Sequence, residues 1–135
     1  MLKRLDFSFS NQFQKFHIEA KVSECDLIYK VHKAEGVDGV EVSPEWQIYS
    51  GDAVSWLKDF LELRTFNWEA SYCDAHIFNP ETSNLPQWDL NIEEDDESAL
   101  LSQHIVGLNN YPENFSDFLE LIRKLLAVPY LILEV

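Results

Sequence analysis

Leu5, Phe7 and Phe9 alternate with polar residues, and after Ser10-Asn11-Gln12 the alternation resumes at Phe16, Ile18, Ala20 and Val22. No other pattern in the chain restricts its fold as tightly. Successive side chains of a strand point to opposite faces, so a period of two marks a ribbon with one buried face. Two such runs joined by turn-prone residues predict a β-hairpin over residues 3–22. Leu27, Tyr29 and Val31 continue the pattern into a third strand. Gly36, Gly39 and Pro44, set among acids, predict a loop over residues 34–45, and Trp46 and Ile48 begin a short strand.

The period then changes. Asp52 is a good helix N-cap, and Val54, Leu57, Phe60 and Leu61 follow at helical spacing, with Trp56 and Leu63 widening the stripe. A helix is predicted over about 52–64. Residues 66–72 are ambiguous, and the prolines in residues 74–87 predict mainly loop. Trp88, Leu90 and Ile92 predict a strand, Glu93 to Ser98 an acidic turn, and Leu101, Gln103 and Ile105 a return strand ending at Gly107. Asn110-Tyr111-Pro112-Glu113 has the form of a capping box ahead of Phe115, Phe118, Leu119, Ile122, Leu125 and Leu126. That predicts a second helix over about 112–127, ended by Pro129, with a final strand within residues 130–135. The order implies an α+β fold, a mainly antiparallel sheet packed against two amphipathic helices, in one domain spanning residues 1–135. At 46% hydrophobic residues the chain has the material for a core without staples.

The second half carries a more specific string. Trp68 and Tyr72 follow the first helix, then Gln87-Trp88-Asp89-Leu90-Asn91-Ile92, then Gly107-Leu108-Asn109-Asn110-Tyr111-Pro112-Glu113-Asn114-Phe115. This resembles a family of uncharacterised bacterial proteins in which a Gln-Trp strand precedes a Gly-x-Asn-x-Tyr-Pro-x-Asn-Phe helix start. The likeness spans roughly residues 56–126 and implies a fold, not an activity. Similar proteins carry a tight Asp-Gly turn before the Gln-Trp pair, where this chain has Glu81-Thr82-Ser83-Asn84-Leu85-Pro86.

Charge is the most informative functional feature. The chain has 10 Lys and Arg against 24 Asp and Glu, for a net charge of −14. Between Thr65 and Ile122 there is no Lys or Arg at all, while 12 acids fall in that stretch. Such a field repels nucleic acid and anionic membranes and attracts cationic partners. The N-terminus lacks the apolar run of a signal peptide, and no stretch approaches a membrane span. A cytoplasmic protein is therefore expected, with Cys25 and Cys73 as free thiols.

Four chemistries find little support in the residues. Cys73 and His76, in Cys-x-x-His spacing, are weak candidates for two zinc ligands, but no second close pair completes a four-ligand site. A Cys-His nucleophile at Cys73/His76 or Cys25/His32 has no signature around it. The run Glu93, Glu94, Asp95, Asp96, Glu97 lacks the spacing of a cation loop and reads as a solvated turn. No glycine-rich phosphate loop is present. No cofactor and no catalytic residue are expected. Three of the tryptophans read as core, and Trp46, beside a loop, as the one most exposed.

The preferred expectation is a non-enzymatic binding protein whose carboxylates imitate a phosphate backbone and dock on a basic, nucleic-acid-handling partner. Inhibitors and immunity proteins against nuclease toxins, and anti-CRISPR proteins, have this small acidic profile. Glu81, Asp89, Glu93, Glu94, Asp95, Asp96 and Glu97 are the expected contact residues. The alternatives are a metal protein or enzyme using Cys73 and His76, and a self-associating protein pairing through Tyr130-Leu131-Ile132-Leu133.

Overall fold

The computed structural model describes residues 1–73, 85–96 and 99–128. Their elements are β1 (Leu2–Ser10), β2 (Lys15–Ser23), β3 (Asp26–Glu35), β4 (Gln47–Ile48), α1 (Ala53–Glu62), β5 (Ser71–Cys73), β6 (Gln87–Asp96), β7 (Ala99–Leu108) and α2 (Phe115–Leu126). The seven strands form one sheet in the order β4-β3-β2-β1-β6-β7-β5. Every neighbouring pair is antiparallel except β5 with β7. The predicted α+β architecture, an antiparallel sheet with two helices, is the one observed.

The alternation in β1 decides which face is buried. Leu5, Phe7 and Phe9 oppose Ala20, Ile18 and Phe16 on one side and Ile92, Leu90 and Trp88 on the other. All of these side chains are buried, and α1 and α2 cover them with Trp56, Phe60, Phe115, Phe118, Leu121, Ile122 and Leu125. Phe7 meets Phe118 edge-on at 4.9 Å between ring centroids, the preferred geometry for aromatic pairs. Turning the chain after β1 falls to Asn11, whose side-chain oxygen accepts from the backbone N–H groups of Phe13 and Gln14.

Helix α1 begins where expected, with Asp52 accepting from the Ser55 N–H. Its buried stripe is narrower than the sequence suggests. Trp56, Phe60 and Leu63 face the core, while Val54 is 77% exposed and Leu61 is also outside. Rotation of the helix is set by the Trp56 indole, whose N–H donates to the Leu121 carbonyl at 2.9 Å.

The second helix starts three residues later than its proline predicts, at Phe115. The capping box is not made, because its asparagine is engaged elsewhere. Asn110 accepts from the neighbouring Tyr111 N–H. The N-cap residue, Asn114, accepts from the Trp68 indole at 2.8 Å and donates to the Leu63 carbonyl at 2.9 Å. Asn114 thus ties α2 to the end of α1 instead of capping its own helix. Gly107 follows a similar logic: a Cβ there would lie 1.9 Å from the Trp88 indole nitrogen, which donates to the Asn110 carbonyl.

Two further expectations are corrected. The ambiguous stretch 66–72 resolves into a 3-10 turn, Thr65–Asn67, and the start of β5. The predicted acidic turn from Glu93 is strand through Asp96, with Glu93, Glu94, Asp95 and Asp96 opposite Ser102, Leu101, Leu100 and Ala99. Acidic residues have low strand propensity, but pairing with an apolar partner strand outweighs it. The expected strand within residues 130–135, and most of the predicted 74–87 loop, lie outside the described residues. No helix among the described residues is long and apolar enough to cross a membrane.

Candidate partner-binding surface

The sheet face opposite the helices carries the polar half of each strand's alternation, and its charges are unevenly placed. Strands β1 to β3 hold Lys3, Arg4, Lys15, Lys21, Lys30 and Lys33, six of the chain's ten Lys and Arg. Here acids and bases are paired. Glu19, only 8% exposed, receives Arg4 on one carboxylate oxygen and His32 on the other. Burial acts to raise the Glu19 carboxyl, but the His32 hydrogen bond and the Arg4 charge outweigh it and hold the group below its ordinary value. His17 donates to Asp6 at 2.8 Å and stacks on His32 with 4.6 Å between centroids. Lys21 and Lys30 lie 4.2 and 5.1 Å from the ring centre of Trp46. Trp46 is thus half-buried under two cations rather than free.

Strands β6 and β7 are the reverse. β6 carries Asp89, Glu93, Glu94, Asp95 and Asp96, and β7 has no Asp, Glu, Lys or Arg. Asp89 accepts from His104 at 2.7 Å and from Asn91 at 3.0 Å. Among the described residues, Glu93, Glu94 and Asp95 make no ion pair. Strand alternation divides these acids. Asp89, Glu93 and Asp95 lie on the open face, whereas Glu94 lies on the helix side in a concavity with Phe66, Leu101 and Gln103. Asp95 to Leu100 and Asp96 to Ala99 pair beyond the start of β1, which reaches only as far as the Met1 contact with Asp95. Past Met1 only the Asp96–Ala99 pair continues, so the described end of the hairpin, called the arm below, outruns β1 by a single pair. Its exposed apolar residues are Leu100 (52%), Leu101 (53%) and, beside it, Phe66 (70%).

The cation-free segment does not build one continuous negative face. Asp117 and Glu120 of that segment lie on α2, where with Asp59 and Glu62 of α1 they line a groove between the helices. Arg123 donates to Glu120 from the next turn, and that bond lowers the Glu120 carboxyl pKa. Of the expected contact residues, the structure brings together Asp89, Glu93, Glu94, Asp95 and Asp96 on one strand. Glu81 and Glu97 lie outside the described residues.

A second concavity, of about 750 Å³, crosses the open face between Lys15, His17 and Lys33 on one wall and Gln87 and Asp89 on the other, with Ser8 and Ser10 between. Its charges are of both signs, so it favours neither an anion nor a cation. Cys73 borders it, exposed and free, and accepts from the Ser71 hydroxyl at 3.3 Å. His76, its weak metal partner, lies outside the described residues. No group of three His, Cys, Asp or Glu side chains among the described residues is placed to hold a metal ion.

Sequence reasoning located the acids and missed the apolar residues beside them. The signal was present: Leu100 and Leu101 are adjacent in a strand, so one must face each side, and two exposed leucines follow once the arm outruns the core. Compared with known proteins, the chain matches no family model, no curated protein and no solved structure.

Proposed function

We propose that this protein is a non-enzymatic binding protein that docks on a basic partner through the β6–β7 arm. The observation that carries the reading is the end of the β6–β7 hairpin, where Glu93, Glu94 and Asp95 make no ion pair among the described residues, although Arg4, bonded to Glu19, lies opposite Glu93, and where Leu100, Leu101 and Phe66 are exposed. Unpaired carboxylates attract a cationic surface from a distance and make association fast and salt-sensitive. Exposed leucine and phenylalanine supply the apolar contact that charge alone does not. A nuclease or another nucleic-acid-handling protein has the required positive surface, and a cytoplasmic inhibitor or immunity-type role is consistent with the charge. The acidic groove between α1 and α2 is the weaker candidate, since Arg123 and Lys124 stand within it or beside it.

Crosslinking capture from host lysate tests the reading with three proteins: wild type, the arm variant E93Q/E94Q/D95N/D96N, and the helix variant D117N/E120Q. The expected outcome is a basic protein retained by wild type and by the helix variant, lost from the arm variant, and released as salt is raised. Equal retention by wild type and the arm variant overturns the proposal.

A further inference from the structure

The two edges of the sheet are treated differently. At the β3 edge, the segment 43–49 lies along the strand: the Ser43 N–H donates to the Val31 carbonyl, the Ser43 hydroxyl accepts from the Val31 N–H, and the Tyr49 N–H donates to the Leu27 carbonyl. At the β7 edge, β5 pairs only with Val106, Gly107 and Leu108. The Val106 N–H donates outward to the Ala70 carbonyl. Backbone groups alternate direction along a strand, so those of Leu100, Ser102 and His104 also point outward. Among the described residues nothing pairs with them.

Natural edge strands are blunted by lysines, prolines, bulges or inward charges. β7, Ala99–Leu108, contains no charged residue and no proline, and its pairing with β6 is regular throughout. It is thus a template for a further strand. What flanks the template specifies the occupant. Glu93 and Asp95 lie one strand inward on the open face, and Glu94 lies one strand inward on the helix side beside Phe66 and Leu101. Adjacent strands are about 4.8 Å apart, so a long lysine or arginine side chain on an added strand reaches across β7 to these carboxylates. A second copy of this chain does not fit the charge: its own β7 brings no cation, and the molecule brings the same −14.

We infer that the partner is engaged by strand addition: an extended, Lys- or Arg-bearing segment of another protein pairs with the β7 edge at Leu100, Ser102 and His104. Backbone hydrogen bonds supply the register, and the β6 carboxylates on both faces select for cations. The inference rests on the arm being the docking element and adds how it docks.

The test uses a probe peptide of alternating Lys and Val, roughly ten residues long, about the length of a long strand, with an alternating Glu and Val peptide as control. Ser102→Pro removes an outward N–H that no described residue accepts from, and edge strands accept proline there. The expected result is that wild type binds the Lys peptide and not the Glu peptide, and that S102P weakens binding by about tenfold or more, as loss of a backbone hydrogen bond and of strand geometry demands. On wild type alone, hydrogen exchange at the Leu100, Ser102 and His104 amides should slow when the Lys peptide is added. Binding that S102P leaves intact and E93Q/E94Q/D95N/D96N abolishes overturns strand addition while sparing the acidic arm. Binding lost in S102P but unchanged in the acid variant keeps strand addition and removes the charge argument. Failure of wild type to bind the Lys peptide, or a concentration-dependent dimer that S102P dissolves, overturns the inference.

Discussion

Strands β1 to β3 and strands β6 to β7 belong to one sheet and share one core, yet they use charge in opposite ways. In the first region nearly every open-face charge has a partner: Arg4 and His32 share Glu19, His17 holds Asp6, and two lysines lie over Trp46. Its outer edge is lined by the segment 43–49. In the second region the acids of β6 outnumber their partners, and no described residue pairs with the β7 edge from Leu100 to His104. Charges that are paired and half-buried hold structure. Charges without an ion pair add little to the fold and, on the proposed reading, are left for another molecule. On the proposed reading, which carboxylates are left for a partner is decided by what lies across the sheet from them, not by how many occur in the sequence.

The comparison fails most visibly if the arm is not anchored to the common core. Gly107→Ala should cost most, about 2–3 kcal/mol from overpacking, because the new Cβ displaces the Trp88 indole at the root of the arm. Urea unfolding measures this. A loss well under 1 kcal/mol would mean that the arm yields independently of Trp88.

Glu19→Ala should come next, at about 1–2 kcal/mol, since it leaves Arg4 and His32 without their shared acceptor. The figure is kept low because Arg4 is about half exposed and solvent screens it. This contribution depends on pH with a definite sign. The folded carboxyl lies below the ordinary 4.5, so its stabilisation is complete above that value and is lost as pH falls through the folded pKa. Wild type and Glu19→Ala should therefore converge in stability as the solution is acidified below pH 4.5. A gap that stays constant through that range would separate the role of Glu19 from its charge.

How much of this was legible in the sequence follows from the same contrast. Period-two alternation in β1 and β2 fixed their buried faces, because a one-residue slip would expose Phe7 and Ile18. Asp52 marked the start of α1 because its capping bond is local. The start of α2 was placed too early, at Asn110, because the actual N-cap residue, Asn114, has its partners, Trp68 and Leu63, 46 and 51 residues away. The acids at 93–96 looked like a turn because composition alone carries no information about a pairing partner. The Asp and Glu list was readable residue by residue. Its division between arm and helix groove was not, since that depends on where β6 and α2 lie in the fold. That no described residue pairs with the β7 edge from Leu100 to His104 was invisible for the same reason, although the strand's lack of charge and proline was in plain view.

The smallest stability effect and the largest binding effect should fall on the same protein. E93Q/E94Q/D95N/D96N should change the unfolding free energy by no more than about 0.5 kcal/mol, the usual range for substitutions that break no core packing or ion pair, or raise it slightly by relieving repulsion. Affinity of that variant for the Lys-Val peptide, measured in parallel at low salt, should fall by about tenfold or more. A variant that unfolds much more easily while binding the peptide as tightly as wild type would contradict the account, because the arm's carboxylates would then serve the fold and not a partner.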